Sequence, residues 1–247
     1  MNNLLKPGNI PLDSLSNIEL YYSEPENFQG GFAKITGEDS HHITNVMRHK
    51  PGDEIYLTNG VGKIYRGNIS SVQKNDLNIE LVEELNFNNK FKNITFCIPK
   101  LKNPDRFEFA LEKSIELGIT NFIIYSTKRS VTKGAKLERW NKIALAAMKQ
   151  SLRSYLPNLF EEKDLKNIFN NDGEVFLFEQ NSQRSVSDLK IEPDKNYYFL
   201  FGPEGGLDAD ELALTDEKHI LNLAENRLRT ETAIVKFAVA LPTLFNM

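Results

Sequence analysis

The stretch YYFLFGPEGGLDADE, Tyr197 to Glu211, decides how the C-terminal part of this chain must fold. Tyr197–Phe201 is a short run with no strongly polar break, the pattern of a strand covered on both faces. It runs straight into Gly202-Pro203-Glu204-Gly205-Gly206. Two consecutive glycines let the backbone turn sharply and approach a ligand closely. Asp208 can cap a helix that follows. Ligands in α/β sheets bind at the carboxyl ends of strands, so the segment reads either as a tight turn or as a binding loop.

Working outward, the same strand pattern recurs at Ile94–Ile98, Phe122–Tyr125, Val175–Phe178 and His219–Leu223. Between the first two lies a well-punctuated helix. Asn103 suits its cap, Pro104 its first position and Gly118 its end. Phe107, Leu111, Ser114 and Ile115 supply its inward stripe. A second helix is predicted over Lys136–Leu152, with Trp140, Ile143, Ala144 and Ala147 on one face, and a last one over Thr230–Leu244. Alternating strands and helices define an α/β domain of about 150 residues. Upstream, residues 19–85 read as a small β-rich unit with alternating runs at Glu54–Thr58, Lys63–Ile69 and Leu77–Val82. Asn59-Gly60 signals a type I′ hairpin turn. One helix, Glu38–His49, interrupts these strands and ends before Pro51. Asn86–Lys92 is a polar linker.

Composition narrows the class. No stretch approaches the roughly 20 apolar residues that span a bilayer, and residues 1–17 contain no apolar core of signal-peptide length, so neither membrane insertion nor export is expected. Cys97 is the single cysteine, which forbids an intrachain disulfide and suits a reducing cytoplasm. The net charge of −4 conceals a strong asymmetry. Residues 86–153 carry 14 Lys/Arg against 5 Asp/Glu, whereas residues 1–85 carry 7 against 12 and residues 154–247 carry 9 against 17. A basic middle is what a phosphate-binding surface produces, and also what solvated helix faces produce. No dinucleotide, Walker, zincin or hydrolase-elbow motif is present. The four histidines show no metal spacing with Cys97, so no metal is expected.

A second segment, Leu221 to Ala233, again follows a strand and opens a helix: Leu-Asn-Leu-Ala-Glu-Asn-Arg-Leu-Arg-Thr-Glu-Thr-Ala. Arg229 stands just before a helix N-terminus, where a second positive charge is unfavourable. Its presence calls for another reason, either an anionic ligand or an ion pair with Glu225 or Glu231.

Together the two segments resemble the knotted SPOUT methyltransferases, and the chain from about Glu19 onward resembles one family among them, the small-subunit (16S) ribosomal RNA uridine-N3 methyltransferases. In the β-rich part the resemblance rests on His42-Ile43, Val46-Met47-Arg48 and Pro51-Gly52-Asp53. In the α/β part it rests on Lys100, Arg106-Phe107-Glu108, Lys113 to Gly118, Arg129-Ser130, Gln150-Ser151, Arg153 and Pro157. It ends on Gly202–Gly206 with Leu228-Arg229-Thr230-Glu231-Thr232. This chain departs from the family pattern at Ala224 and Asn226, where glycine and arginine are usual, and at Lys149, where glutamate is usual.

The resemblance implies an N-terminal extension (1–18), a PUA-like β-barrel RNA-binding domain (19–88) and a trefoil-knotted SPOUT α/β domain with a parallel sheet (89–247). It implies a cytoplasmic homodimer that uses S-adenosyl-L-methionine to methylate a uridine at N3 in small-subunit ribosomal RNA. The donor would be held by Phe178, Phe201, Gly202, Pro203, Glu204, Gly205, Gly206, Leu221, Leu223, Leu228, Thr230 and Thr232. Arg229 would stabilise charge on the base, and Glu231 or solvent would take the proton. Arg48, Lys100, Arg106, Lys113, Arg129 and Arg153 would contact RNA. Two alternatives stand beside this: a knotted methyltransferase acting on another base or a ribose 2′-hydroxyl, and a non-catalytic RNA-binding ribosome-assembly protein.

Overall fold

The computed structural model describes residues 6–7, 18–73, 76–127, 136–192 and 194–244. These fall into two compact units, one within Met1–Asn89 and Met148–Leu156, the other within Lys90–Ala147 and Pro157–Met247. Arg129 and nearly all of the 1–18 extension lie outside the described residues.

The first unit contains β1 (Lys6–Pro7), β2 (Leu20–Tyr22), β3 (Phe28–Gln29), β4 (Phe32–Thr36), helix α1 (Gly37–His41), β5 (Glu54–Thr58), β6 (Lys63–Gln73) and β7 (Asp76–Asn86). Its sheet runs β2-β5-β6-β7-β4-β3, with β1 beside β7. Alternate residues (Ala33, Ile35, Ile55, Leu57, Leu77, Ile79) point into one core with Ile43, as the period of two requires. Strands β6 and β7 outrun their predicted apolar cores because polar residues continue the hairpin ladder, with register shifts at Arg66/Gly67 and Ile69/Ser71.

Two local expectations need correction. The hairpin at Asn59-Gly60 forms, but not as a type I′ turn. Among the described non-glycine residues only Arg48 and Leu152 have positive φ. The Asn59 side chain instead accepts from the Val61 and Lys63 amides at 3.0 and 3.2 Å, organising a four-residue loop. The helix expected over Glu38–His49 is also shorter. After His41 it widens into a π turn, His42–Val46, with the Met47 amide donating to the His42 carbonyl five residues back. Thr44 Oγ1 bonds the Ser40 carbonyl at 2.9 Å, a local competitor of the helical ladder. Arg48, at φ 60°, then closes the helix in the left-handed conformation ahead of Pro51.

The second unit contains β8 (Ile94–Pro99), α2 (Pro104–Glu116), β9 (Asn121–Tyr125), α3 (Leu137–Gln150, whose last three residues are assigned to the first unit), β10 (Asn158–Glu162), α4 (Leu165–Ile168), β11 (Glu174–Phe178), β12 (Tyr197–Phe201), α5 (Ala209–Leu212), β13 (Ile220–Leu221) and α6 (Thr230–Leu244). All six strands are parallel, in the order β10-β9-β8-β12-β11-β13. The Asn103 side chain accepts from the Asp105 amide at 2.9 Å, and the stripe Phe107, Leu111, Ser114 and Ile115 is buried. Strand β10 was not foreseen. It is an edge strand that carries Glu161, Glu162 and exposed Phe160, so it lacks the continuous apolar run of its neighbours. Strand β13 is shorter than predicted because His219 closes a 3-10 turn and Leu223 leaves the sheet toward a cavity.

Both sheet faces are covered, which is why the central strands β8, β12 and β11 are mostly apolar. On one face Cys97, Tyr125, Leu177 and Leu200 pack against Leu165, Ile168 and Leu207. On the other, Phe237 of α6 stands 4.4 Å from Phe199, 4.7 Å from Phe178 and 5.6 Å from Phe96 between ring centroids. Phe237→Ala is expected to cost about 3–5 kcal/mol of stability. Chemical denaturation reads this directly, and a loss below about 1 kcal/mol would mean α6 is held by something other than the aromatic cluster. No helix among the described residues is long and apolar enough to cross a membrane.

Candidate active site

Strands β12, β11 and β13 are neighbours, so the loops at their carboxyl ends converge. These are Glu179–Asn181 after β11, Gly202–Leu207 after β12 and Asn222–Arg229 after β13. They surround a cavity of about 850 Å³, at the sheet edge where the parallel topology puts ligand sites. Hydrogen bonds fix the loops to one another. The Glu179 amide donates to the Leu221 carbonyl at 3.0 Å, and Asn222 Nδ2 donates to the Gln180 carbonyl at 2.7 Å. Thr230 Oγ1 donates to the Gly202 carbonyl at 2.8 Å, which brings the glycine loop and the arginine-bearing turn side by side.

The glycine loop is pinned at several points. Tyr125, fully buried in β9, donates its hydroxyl to the Phe201 carbonyl at 2.5 Å. Burial pushes that phenol well above the ordinary tyrosine range, so it stays a donor at any working pH. The Gly206 amide closes a turn onto the Pro203 carbonyl at 2.9 Å. Gly206 has φ 72°, a conformation only glycine adopts without strain. Asp208 and Glu211 form a reciprocal capping box, each side chain accepting from the other's amide at 2.8 Å.

Of the residues expected at a donor site, Phe178, Phe201, Gly202, Pro203, Glu204, Gly206, Leu223, Leu228 and Thr230 line the cavity, and so does Arg229. Gly205, Leu221 and Thr232 do not line it. Leu221 is buried within β13, while Gly205 and Thr232 face outward. Lys102, Asn181 and Arg227 also line it and were missed. Lys102 follows β8, the strand next to β12, so knowledge of strand order would have found it.

Arg229 is exposed, and neither of the ion pairs considered for it forms among the described residues. Glu231 lies outside the cavity lining, with Oε1 3.5 Å from Arg106 Nε and Oε2 buried without a hydrogen-bond partner. Arg106 also reaches Glu204 Oε1 at 3.7 Å from Nη1, and Glu204 Oε2 accepts from the Lys102 amide at 3.3 Å.

The residues expected to contact RNA fall on both units, and Arg129 lies outside the described residues. Lys100 is corrected first: it is buried, and its ammonium pairs with Glu161, leaving no exposed charge for a phosphate. Lys113 is neutralised by Glu112 at 2.7 Å and Glu116 at 2.8 Å. Arg106 belongs to the cavity wall. Arg48 and Arg153 are exposed on the first unit. Among the described residues no group of three or more His, Cys, Asp or Glu could hold a metal. Burial raises the Cys97 thiol far above its ordinary range, which removes it as a nucleophile.

A parallel α/β unit with a ligand-sized cavity at its strand ends, in a chain that also carries a small β unit, points to the class. Residues 88–241 match the family described as RNA methyltransferase domain, and residues 35–82 match the RNA methyltransferase PUA domain. The chain belongs to the RNA methyltransferase family. It is 31% identical over 217 residues to the ribosomal RNA small subunit methyltransferase E of Bacillus subtilis, with 81% of this chain and 85% of the relative covered. To the Mycobacterium tuberculosis protein of the same name it is 27% identical over 230 residues, 87% of each chain. A crystal structure of the Neisseria gonorrhoeae protein of that name, bound to S-adenosyl methionine, matches at 27% identity and a TM-score of 0.81, with 92% of this chain and 98% of that one covered.

Proposed function

We propose that this chain transfers the methyl group of S-adenosylmethionine to N3 of a uridine in small-subunit ribosomal RNA. The observation that carries the reading is the single cavity shared by the Gly202 loop and the Arg229 turn, joined by the Thr230–Gly202 hydrogen bond. The relatives named for small-subunit ribosomal RNA methylation, and the neighbour bound to the donor, support the substrate and donor classes.

The residues present fit the donor. The cavity falls within the range of about 300–1,000 Å³ common to small-molecule sites. A Cβ built on Gly202 would meet no protein atom within 4 Å, and its backbone is outside the left-handed region. Neither backbone strain nor a protein neighbour accounts for glycine at this position. Close approach of a ligand does. Phe178, Phe201 to Glu204, Gly206, Leu223, Leu228 and Thr230 would hold the donor, with Gly205, Leu221 and Thr232 supporting their loops. Bound S-adenosylmethionine supplies an electrophilic methyl group and leaves as a neutral thioether.

Uracil N3 carries a proton and becomes a nucleophile as it loses it. The developing negative charge spreads to the two flanking carbonyl oxygens. Arg229, permanently protonated and rich in donors, stabilises that charge. The proton passes to water. Glu231, the other acceptor considered, is turned to Arg106 and away from the cavity lining. Arg48 and Arg153, with Arg129, supply phosphate contacts, and the small β unit acts as a PUA-like barrel that binds RNA. The target base is extruded into the cavity.

The C-terminal segment that builds the third loop is threaded as a trefoil knot, an exception to the usual topology. A second copy covers apolar surface on the packed helices α2 and α6, where Phe109 and Val239 are 49% and 58% exposed, giving a homodimer. The protein works in the cytoplasm, where a lone thiol stays reduced.

Nucleoside mapping by mass spectrometry tests the target atom. Small-subunit RNA incubated with the protein and donor is expected to gain one N3-methyluridine. Methylation of another base or of a ribose would overturn N3, and absence of donor binding by calorimetry would favour a non-catalytic RNA-binding protein.

A further inference from the structure

We infer that Arg106 is a positioning residue that ties the glycine loop to the start of helix α6, not an RNA contact; the inference rests on the methyl-donor reading of the cavity. Its guanidinium rises from the first turn of α2 and faces two carboxylates far apart in sequence, Glu204 Oε1 at 3.7 Å and Glu231 Oε1 at 3.5 Å. Glu204 rides on the glycine loop and is also held by the Lys102 amide at 3.3 Å. Glu231 is the second residue of α6, directly after Thr230, whose hydroxyl holds the Gly202 carbonyl. Three segments around the cavity therefore meet at one side chain.

Charge explains why an arginine is needed there. The Glu231 side chain is 11% exposed and its Oε2 has no hydrogen-bond partner. A buried carboxylate is costly unless a cation compensates it, and Arg106 is the one cation within ion-pair distance of it among the described residues. An arginine occupied by two acids at the cavity wall has little charge left for a phosphate. Both contacts are longer than the 2.7–2.9 Å usual for charge-assisted hydrogen bonds. They tighten when the donor fills the cavity, drawing the glycine loop toward α6.

Arg106→Gln, Arg106→Lys and Arg106→Gln/Glu231→Gln in the full-length chain test this. Calorimetry with S-adenosylmethionine should show about a tenfold loss of donor affinity for Arg106→Gln, the scale of one charged hydrogen bond, and a smaller loss for Arg106→Lys. Without donor, the log–log salt slope of RNA binding should equal wild type, and the melting temperature lowered in Arg106→Gln should recover in the double variant, where the buried Glu231 carboxylate is gone and Glu204, which is less buried, keeps the Lys102 amide. Should Arg106→Gln fail to fold, Arg106→Lys alone decides between weakened donor binding and a changed RNA affinity. An unchanged donor affinity with a shallower salt slope would overturn the inference and return Arg106 to the RNA surface. Wild-type protein that binds no donor would instead sink the methyl-donor reading, whatever Arg106 does.

Discussion

Arg229→Ala is expected to lower turnover by about 10²-fold or more while leaving donor affinity near wild type. Arg229 lines the cavity one residue before α6 begins, where the helix dipole makes a cation unfavourable. Neither Glu225 nor Glu231 pairs with it, and among the described residues no other carboxylate forms an ion pair with it. In the proposed reaction a guanidinium at this point would stabilise negative charge that appears only as N3 loses its proton, an effect on the transition state and not on donor binding. Single-turnover methylation of small-subunit RNA, set beside calorimetry with S-adenosylmethionine, separates the two. Arg229→Lys keeps the charge but not the fork of donors and should fall between. Turnover within a few-fold of wild type in Arg229→Ala would remove this residue from catalysis.

The second large effect concerns Gly202. A Cβ added there meets no protein atom within 4 Å, and Gly202→Val, which adds two methyl groups beyond it, should fold and melt close to wild type. On the proposed reading the same side chain would stand in the cavity where the donor comes close. Overpacking of this kind costs about 1–3 kcal/mol, which corresponds to a loss of donor affinity of about tenfold to a hundredfold. Gly206 could not serve for this test, because its φ of 72° would strain any replacement and mix stability with binding. Unaltered donor affinity in Gly202→Val would mean that the donor does not lie against the loop after β12.

Much of the fold was legible because its signals are local. Asn103 with Pro104 marks the start of α2 within a few residues, and the apolar run Tyr197–Phe201 and the helix Thr230–Leu244 fall where the structure has them. The Asn59-Gly60 turn and the helix after Glu38 were legible as events but not in form. Their geometry depends on side-chain bonds from Asn59 and Thr44 that compete with the regular backbone pattern. Strand β10 was hidden because only Leu159 of its five residues is buried, so no apolar run marks it.

The charged residues divide the same way. By itself the sequence marked the apolar strands and long helices of the second unit, pointed to two loops near the carboxyl terminus as a candidate site, and left Arg229 with either an anionic ligand or an ion pair with Glu225 or Glu231. Only the tertiary structure decided which cations are free: Lys100 is taken by Glu161, Lys113 by its two glutamates, and Arg106 by Glu204 and Glu231. Hydrophobic periodicity and capping act over a few residues and are written along the chain. A long-range ion pair depends on which strands lie side by side, and the order β8-β12-β11-β13 is a property of the whole sheet.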